Sequence, residues 1–224
     1  MSTTSHLTSR PARSAATALG GALAFVACYL AVDLVAGRVA TAPLPLPGAP
    51  AEQVYAYMTG NAPAVALTAL CQLASVAGLL VFVLAARRAL GPAGDDRRVR
   101  QGQVVGVVAV LLMVVSSALG LVLAATASTL SVDTVVALRT ANFLSGGVAH
   151  VMSLGVFVGL TRTAFPGRGI RVLGVIAAVP ALLSVVSLAW FYASVLILLG
   201  RLLCMVWTVA AGVALVRRAR GAIG

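Results

Sequence analysis

Polar side chains inside long apolar segments are the residues of this chain that could do chemistry. The clearest set follows one face of a single segment and comprises Arg139, Asn142, Gly146, His150 and Ser153. At about 100° per residue, these positions form one stripe along an α-helix. Because an ionisable group in hydrocarbon is costly, it usually faces a partner, a ligand or a water-filled cavity. The stripe therefore marks Arg139, Asn142 and His150 as candidate ligand-binding or coupling residues.

Three further polar residues in other apolar segments could meet this stripe. Asp33 lies in the first segment, Gln72 in the second and Arg201 in the sixth. Asp33 and Arg201 fall at depths that differ by about one helical turn, so we predict that they form an ion pair. Three interpretations stay open: a purely structural pair, a ligand-binding or proton-coupling pair, and an Arg201 side chain that extends to the membrane surface instead.

His150 has two competing interpretations. One is a histidine that forms a hydrogen bond between helices, and the other is a group that changes charge near neutral pH and couples to transport. Burial and the nearby arginines both disfavour the imidazolium form, so we expect a neutral ring at neutral pH. Gln72 and Ser184 fall at similar depth and are its expected hydrogen-bond partners.

Recognisable catalytic and metal-binding motifs are missing from the sequence. The chain has only 2 histidines, too few for a His-Glu-x-x-His zinc cluster or for haem held by paired histidines. Asp33 has no second acid for a carboxylate pair, and the turn Ser145-Gly146-Gly147 lacks the first glycine of a rhomboid-like protease. The cysteines lie inside apolar segments without a CxxC pair, so no disulfide or zinc site follows. We expect no cofactor and no metal.

Six apolar runs must position these residues. They lie near residues 15–36, 62–86, 103–126, 138–161, 170–190 and 194–216, and are numbered here as spans 1 to 6. Each has about 20 residues or more, enough to cross a hydrocarbon layer about 30 Å thick. Hydrophobic residues make up 61% of the chain and charged residues 9%, which excludes an ordinary soluble domain. We predict an all-α transmembrane bundle of six helices over residues 15–217, between tails at 1–14 and 218–224.

The arginines predict the orientation of this bundle. All 16 basic side chains are arginine, and most lie in the two tails and in the loops after spans 2 and 4. The positive-inside rule then places both termini in the cytoplasm, which fits a bacterial cytoplasmic membrane. The net charge of +11 could suggest nucleic acid. Arginines in short loops beside apolar helices point instead to anionic lipid, so we expect no nucleic-acid partner.

The longest loop, residues 37–61, is expected to contain a short helix. Pro50 suits the first turn of a helix, and Tyr55 and Tyr57 would then lie in the headgroup region. One functional interpretation of this helix is a lid on the outer side of the bundle.

Short sequence features resemble those of uncharacterised bacterial six-helix integral membrane proteins, known as domain-of-unknown-function families. The features are the run at residues 156–160, the segment 171–174 after Pro166, and the closing Trp207, Gly212, Arg217 and Arg218. The resemblance covers most of residues 15–220 and implies a fold without a reaction. The spacing Ala18-x-x-x-Ala22 is also similar to that in the six-helix substrate-capture subunits of vitamin importers.

The leading functional hypothesis is binding or transport of a small molecule through an outward-facing polar cavity between spans 1, 4 and 6. The alternative is a structural or accessory membrane subunit with no ligand of its own, associated with a protein partner or with other copies of itself. An intramembrane enzyme without a recognisable motif is the third hypothesis.

Overall fold

The computed structural model describes residues 9–221, and the side chains of residues 9–11, 33, 191 and 192 are outside the described part. Eight α-helices are present in residues 9–221: α1 (Ser9–Val39), α2 (Ala51–Gly60), α3 (Ala62–Leu90), α4 (Arg97–Thr126), α5 (Val132–Phe143), α6 (His150–Thr161), α7 (Arg168–Leu183) and α8 (Val195–Gly221). The structure is 89% helical and its described residues form no strand, which confirms the predicted all-α class.

The described helices include six segments that are long and apolar enough to cross a membrane. Their bounds are Ala12–Val39, Ala62–Asp95, Arg97–Thr129, Val132–Thr161, Arg168–Leu188 and Val195–Gly221. Span 4 consists of α5 and α6 together, joined by a π turn at Leu144–Ala149. Large apolar side chains such as Leu34, Val104 and Val195 are exposed on the outside of the bundle, as lipid contact requires. The chain is therefore a multi-pass membrane protein, as predicted.

The spans pack in chain order around a closed ring. Each span contacts the next one along the chain, and α8 contacts α1 as well as α7. A close helix crossing joins α1 to α3, where a Cβ atom on Gly78 would lie only 2.6 Å from the backbone nitrogen of Phe25. Ala18 and Ala22 are fully buried on the same side of α1. Small residues thus let α1 approach its neighbours closely.

An aromatic cluster fills one half of the bundle interior. It consists of Phe82, Phe157, Phe165 and Trp207, and the Phe165 and Trp207 rings meet edge-on with centroids 5.0 Å apart. The Trp207 indole donates a hydrogen bond of 3.1 Å to the carbonyl of Ile170. The cluster lies toward the basic side, defined by the turns 91–95 and 162–167, which arginines flank or occupy, and by the end of α8. The opposite side, with segments 40–61, 127–131 and 189–194, is called the α2 side.

Helix α2 confirms the short helix predicted in the first long loop. Its buried residues Val54 and Met58 pack against Leu123, Ala127 and Val135 at the ends of spans 3 and 4. The Asn61 side chain accepts a hydrogen bond of 2.7 Å from the backbone N–H of Thr41. These contacts hold α2 across the end of the bundle.

Candidate functional site: a polar pocket beneath α2

The π turn in span 4 determines where the predicted polar stripe points. The backbone N–H of His150 donates to the carbonyls of Ser145 and Gly147, rather than to that of Gly146 as an α-helix would require. A π turn changes the angular spacing between residues before it and after it. The stripe predicted from ideal helical geometry is therefore divided, with Arg139 and Asn142 before the turn and His150 after it.

A pocket of about 240 Å³ lies directly beneath α2. Its polar lining residues are Tyr57, Thr68, Gln72, Ser116, Arg139, Asn142 and Arg201, and most of the remaining wall is apolar. Four of the six residues proposed from the sequence (Gln72, Arg139, Asn142 and Arg201) thus line one pocket. Pockets with mainly apolar walls and a few placed polar groups are the usual form of small-molecule sites.

The walls of this pocket differ from the predicted set of spans 1, 4 and 6. Spans 4 and 6 contribute as expected, but spans 2 and 3, helix α2 and Leu44 of the segment before α2 supply the rest of the described lining. No described side chain of α1 is among the lining residues. The reason is packing: α1 lies against α3 and α8 through small residues, and its Tyr29 hydroxyl contacts Arg201 instead of the pocket.

Arg139 is held in place by a hydrogen-bond network that joins spans 3 and 4. One guanidinium N–H of Arg139 donates to the Asn142 side-chain oxygen at 2.8 Å. The Asn142 amide donates to the Ser116 carbonyl at 2.6 Å, and the Ser116 hydroxyl returns a bond to the Asn142 carbonyl at 2.9 Å. This reciprocal pair orients Asn142, and Asn142 in turn orients Arg139 toward the pocket.

Arg201 is buried at the inner wall of the pocket, with a relative exposure of 8%. Its guanidinium donates to the carbonyl of Gly146 and, at 3.3 Å, to the Tyr29 hydroxyl. The guanidinium carbon also lies 5.2 Å from the centre of the Tyr29 ring, within the range of a cation–π contact. The Asp33 side chain falls outside the described residues, so the Asp33–Arg201 ion pair stays a prediction.

Two guanidinium groups and no carboxylate line the described part of the pocket wall. The ion pair found among the described residues, Arg87 with Asp95 at 3.4 Å, is on the basic side. The Tyr57 phenol interacts electrostatically with Arg139. Burial raises the pKa of the Tyr57 phenol above its usual value of about 10, and the Arg139 charge opposes this only in part. The phenol is therefore neutral at physiological pH and does not offset the positive charge.

His150 is completely buried and is not among the residues that line this pocket. Its Nδ1 atom lies 2.7 Å from the carbonyl oxygen of Ala109 on α4. Since a carbonyl can only accept, the ring donates through Nδ1. The expected partners were wrong: Gln72 lines the pocket, and the Ser184 hydroxyl donates to the carbonyl of Ala181. This geometry favours the hydrogen bond between helices over a coupling role.

Several lining residues were not proposed as site residues from the sequence. They are Tyr57 and Met58 of α2, Thr68 of α3, and Ser116 and Gly120 of α4. Thr68 and Gln72 are four residues apart on one helix face, a spacing that could have identified both. The contribution of α2 required its tertiary contacts, which the sequence does not show.

Comparisons with protein-family models, with curated proteins and with solved structures find no match for this chain. Residues 9–221 contain no group of three or more His, Cys, Asp or Glu side chains that could hold a metal ion. The functional argument therefore depends on the pocket itself.

Proposed function

We propose that this protein binds a small molecule in the pocket beneath α2, and that this pocket faces the outside of a bacterial cytoplasmic membrane. The observation that carries the proposal is the convergence of polar side chains from four spans on one pocket with apolar walls. The proposed orientation is supported by the arginines, which are concentrated on the basic side. Those arginines are proposed to contact anionic lipid.

Helix α2 would act as a cover for this site. Tyr57 and Met58 line the pocket from above, and Leu44 of the preceding segment joins them. The hydrogen bond between Thr41 and Asn61 fixes both ends of the covering segment. Entry of a ligand would then require only local movement of residues 40–61, with the spans left in place.

Transport is the extended form of this proposal. The aromatic cluster of Phe82, Phe157, Phe165 and Trp207 fills the interior on the basic side. A site that opens to one side by local movement of its cover and is closed to the other by packed side chains is one state of an alternating-access cycle. Release toward the basic side would require these four rings to separate.

A structural or accessory role is the second candidate, and specific hydrogen bonds favour it. His150 bonds to the Ala109 carbonyl, and the Ser75 hydroxyl donates at 2.7 Å to the carbonyl of Phe25. Polar side chains commonly join helices in this way within membranes. Under this hypothesis the polar residues of the pocket would also stabilise helix packing. The resemblance to uncharacterised six-helix membrane proteins would then reflect a shared fold.

A thermal-shift screen of small molecules on the purified protein distinguishes the two candidates. The matched variants are Thr68→Phe, which fills the pocket, and Val122→Phe, which adds the same bulk at an exposed position on α4. Binding predicts that some compounds stabilise the wild type and Val122→Phe but not Thr68→Phe. A lack of stabilisation across the screen, with reproducible co-purification of a second protein, would favour the accessory role.

A further inference from the structure

We infer that the ligand of this pocket is a small organic oxyanion whose carboxylate or phosphate group is held between Arg139 and Arg201. The inference rests on the proposed function and deepens it by naming the class of ligand. Both arginines line the same pocket, which is formed from α5, α8 and their neighbours. Arginine is the side chain best suited to recognise carboxylate and phosphate, because its planar donors match two oxygens at once.

The charge of the described pocket wall is the first argument. It contains two guanidinium groups, no carboxylate, and a phenol that is neutral at physiological pH. Positive charges in a region of low dielectric constant repel a cationic ligand and attract an anionic one. A neutral ligand would leave both charges without compensation by the described wall.

The free donor capacity of the two arginines is the second argument. A guanidinium has five N–H donors, and among the described residues Arg139 uses one of them, toward Asn142. Arg201 uses its two terminal nitrogens toward Gly146 and Tyr29, and its buried Nε has no partner among the described residues. Asn142 and Tyr29 thus orient the arginines without neutralising them.

The size and lining of the pocket limit the rest of the ligand. At about 240 Å³ the pocket is smaller than the usual range for drug-sized ligands, so the ligand is small. Met58, Leu123 and Ile197 provide apolar contacts for its body. Thr68 and Gln72 also line the pocket, and no described residue bonds to their side chains, so they can serve one further polar group.

The test compares three probes of nearly equal shape and different charge: butyrate, butyramide and butylamine. Each is titrated into the purified protein, and the apparent affinity is obtained from the shift in melting temperature with concentration. We expect butyrate to stabilise the wild type, and both butyramide and butylamine to bind at least about tenfold more weakly. Equal or greater stabilisation by butyramide or butylamine would overturn the inference.

Variants of the two arginines test whether butyrate binds in this pocket. Arg139→Gln should weaken butyrate binding at least about tenfold, whereas Arg38→Gln, which removes an exposed charge on the same side, should leave it unchanged. Arg201→Lys is the second variant. It keeps the buried charge and loses the paired donors, so weaker butyrate binding is expected. Unchanged binding in both Arg139→Gln and Arg201→Lys would overturn the inference.

The same experiment separates this inference from the proposed function. If butyramide stabilises the wild type as well as butyrate does, and Thr68→Phe abolishes both effects, the pocket binds ligands but not oxyanions. If neither butyrate nor inorganic phosphate stabilises the wild type, the oxyanion inference fails and the wider screen decides whether the pocket binds at all.

The oxyanion could come from a free solute or from a lipid headgroup. Butyrate titrations in phosphatidylcholine nanodiscs, with and without phosphatidylglycerol, distinguish these sources. Butyrate binding that is unaffected by phosphatidylglycerol supports a free solute. Weaker butyrate binding to the wild type in nanodiscs that contain phosphatidylglycerol supports a phosphate headgroup in the same site. If phosphatidylglycerol competes equally well in Arg139→Gln, and this variant binds butyrate as tightly as the wild type does, the oxyanion does not bind at Arg139.

Discussion

The guanidinium of Arg201 donates a hydrogen bond to the backbone carbonyl of Gly146, the carbonyl that the N–H of His150 bypasses in the π turn. A side chain of span 6 thus occupies an acceptor that a regular helix would use for its own backbone. The bond places a positive charge at the inner wall of the pocket and ties α8 to span 4. π turns are frequent at functional sites. Here the turn leaves the Gly146 carbonyl free to accept the bond that positions the Arg201 charge.

Gly146→Ala should disrupt this arrangement. An added Cβ atom would lie 2.7 Å from the Cβ of Ser116, so span 4 and α4 would have to separate. We expect a loss of about 1–3 kcal/mol in the free energy of unfolding, as for other overpacked sites. The measurement is denaturant-induced unfolding of the purified protein.

Gly20→Ala is the matched control for that substitution. Gly20 also lies in a helix, but an added Cβ atom there would meet nothing within 4 Å. Its expected effect is a gain of about 0.5–1 kcal/mol, because alanine restricts the unfolded chain. Equal effects of the two substitutions would show that the contact between Gly146 and Ser116 is not tight.

The tautomer of His150 is a second prediction. Since Nδ1 faces the Ala109 carbonyl, we expect Nδ1 to carry the proton and Nε2 to be unprotonated at neutral pH. The chain has 2 histidines, so the variant His6→Gln leaves His150 as the single histidine signal. Nitrogen NMR shifts of the ring report the tautomer directly. A proton on Nε2 alone would contradict the hydrogen bond, and protons on both nitrogens would contradict the neutral ring.

The fold could be predicted from the sequence to a large extent, because membrane spans are determined by length and hydrophobicity. All six runs correspond to helical segments, and Pro50 correctly indicated α2. The closeness of the α1 and α3 backbones could not be predicted from those patterns. It depends on Gly21 and Gly78 meeting at the same level, and a single sequence does not show which helices meet.

The candidate site was predictable only in part. Arg139, Asn142 and Arg201 were identified because polar groups in apolar spans are unusual, and all three line one pocket. The position of His150 outside the pocket was not predicted, because the prediction assumed ideal α-helical spacing and the π turn interrupts that spacing. No local sequence rule indicated that Gly146 would offer its carbonyl to a residue 55 positions away.

The predicted ion pair between Asp33 and Arg201 would compensate the Arg201 charge that the oxyanion inference leaves for a ligand, and a double-mutant cycle decides between the two. If the side chains pair, Asp33→Asn and Arg201→Gln each lower stability, and the double variant recovers part of the loss. The coupling energy of such a pair is about 0.5–3 kcal/mol, measured by unfolding of all four proteins. A cycle of Asp33→Asn with Arg88→Gln, an exposed arginine at the end of α3, should be additive. Additivity in both cycles would show that Asp33 and Arg201 do not pair.

The orientation in the membrane is a separate prediction. Reporter fusions after Gly94, Gly167 and Gly221 should report the cytoplasm, because most of the arginines lie on that side of the bundle. Fusions after Pro47 and Ser131, in segments on the α2 side, should report the outside. An external signal at Gly94 would reverse the whole orientation.

The central claim is that a pocket reached from the outside lies beneath α2, and labelling of Gln72→Cys tests it most directly. The background is a variant in which Cys28, Cys71 and Cys204 are replaced by alanine, and the reagent is a membrane-impermeant maleimide applied to intact cells. We predict that Gln72→Cys is labelled, that adding Thr68→Phe blocks the labelling, and that buried Ser117→Cys is not labelled. Labelling of Gln72→Cys only after the membrane is permeabilised, or equally with Thr68→Phe present, would contradict the account.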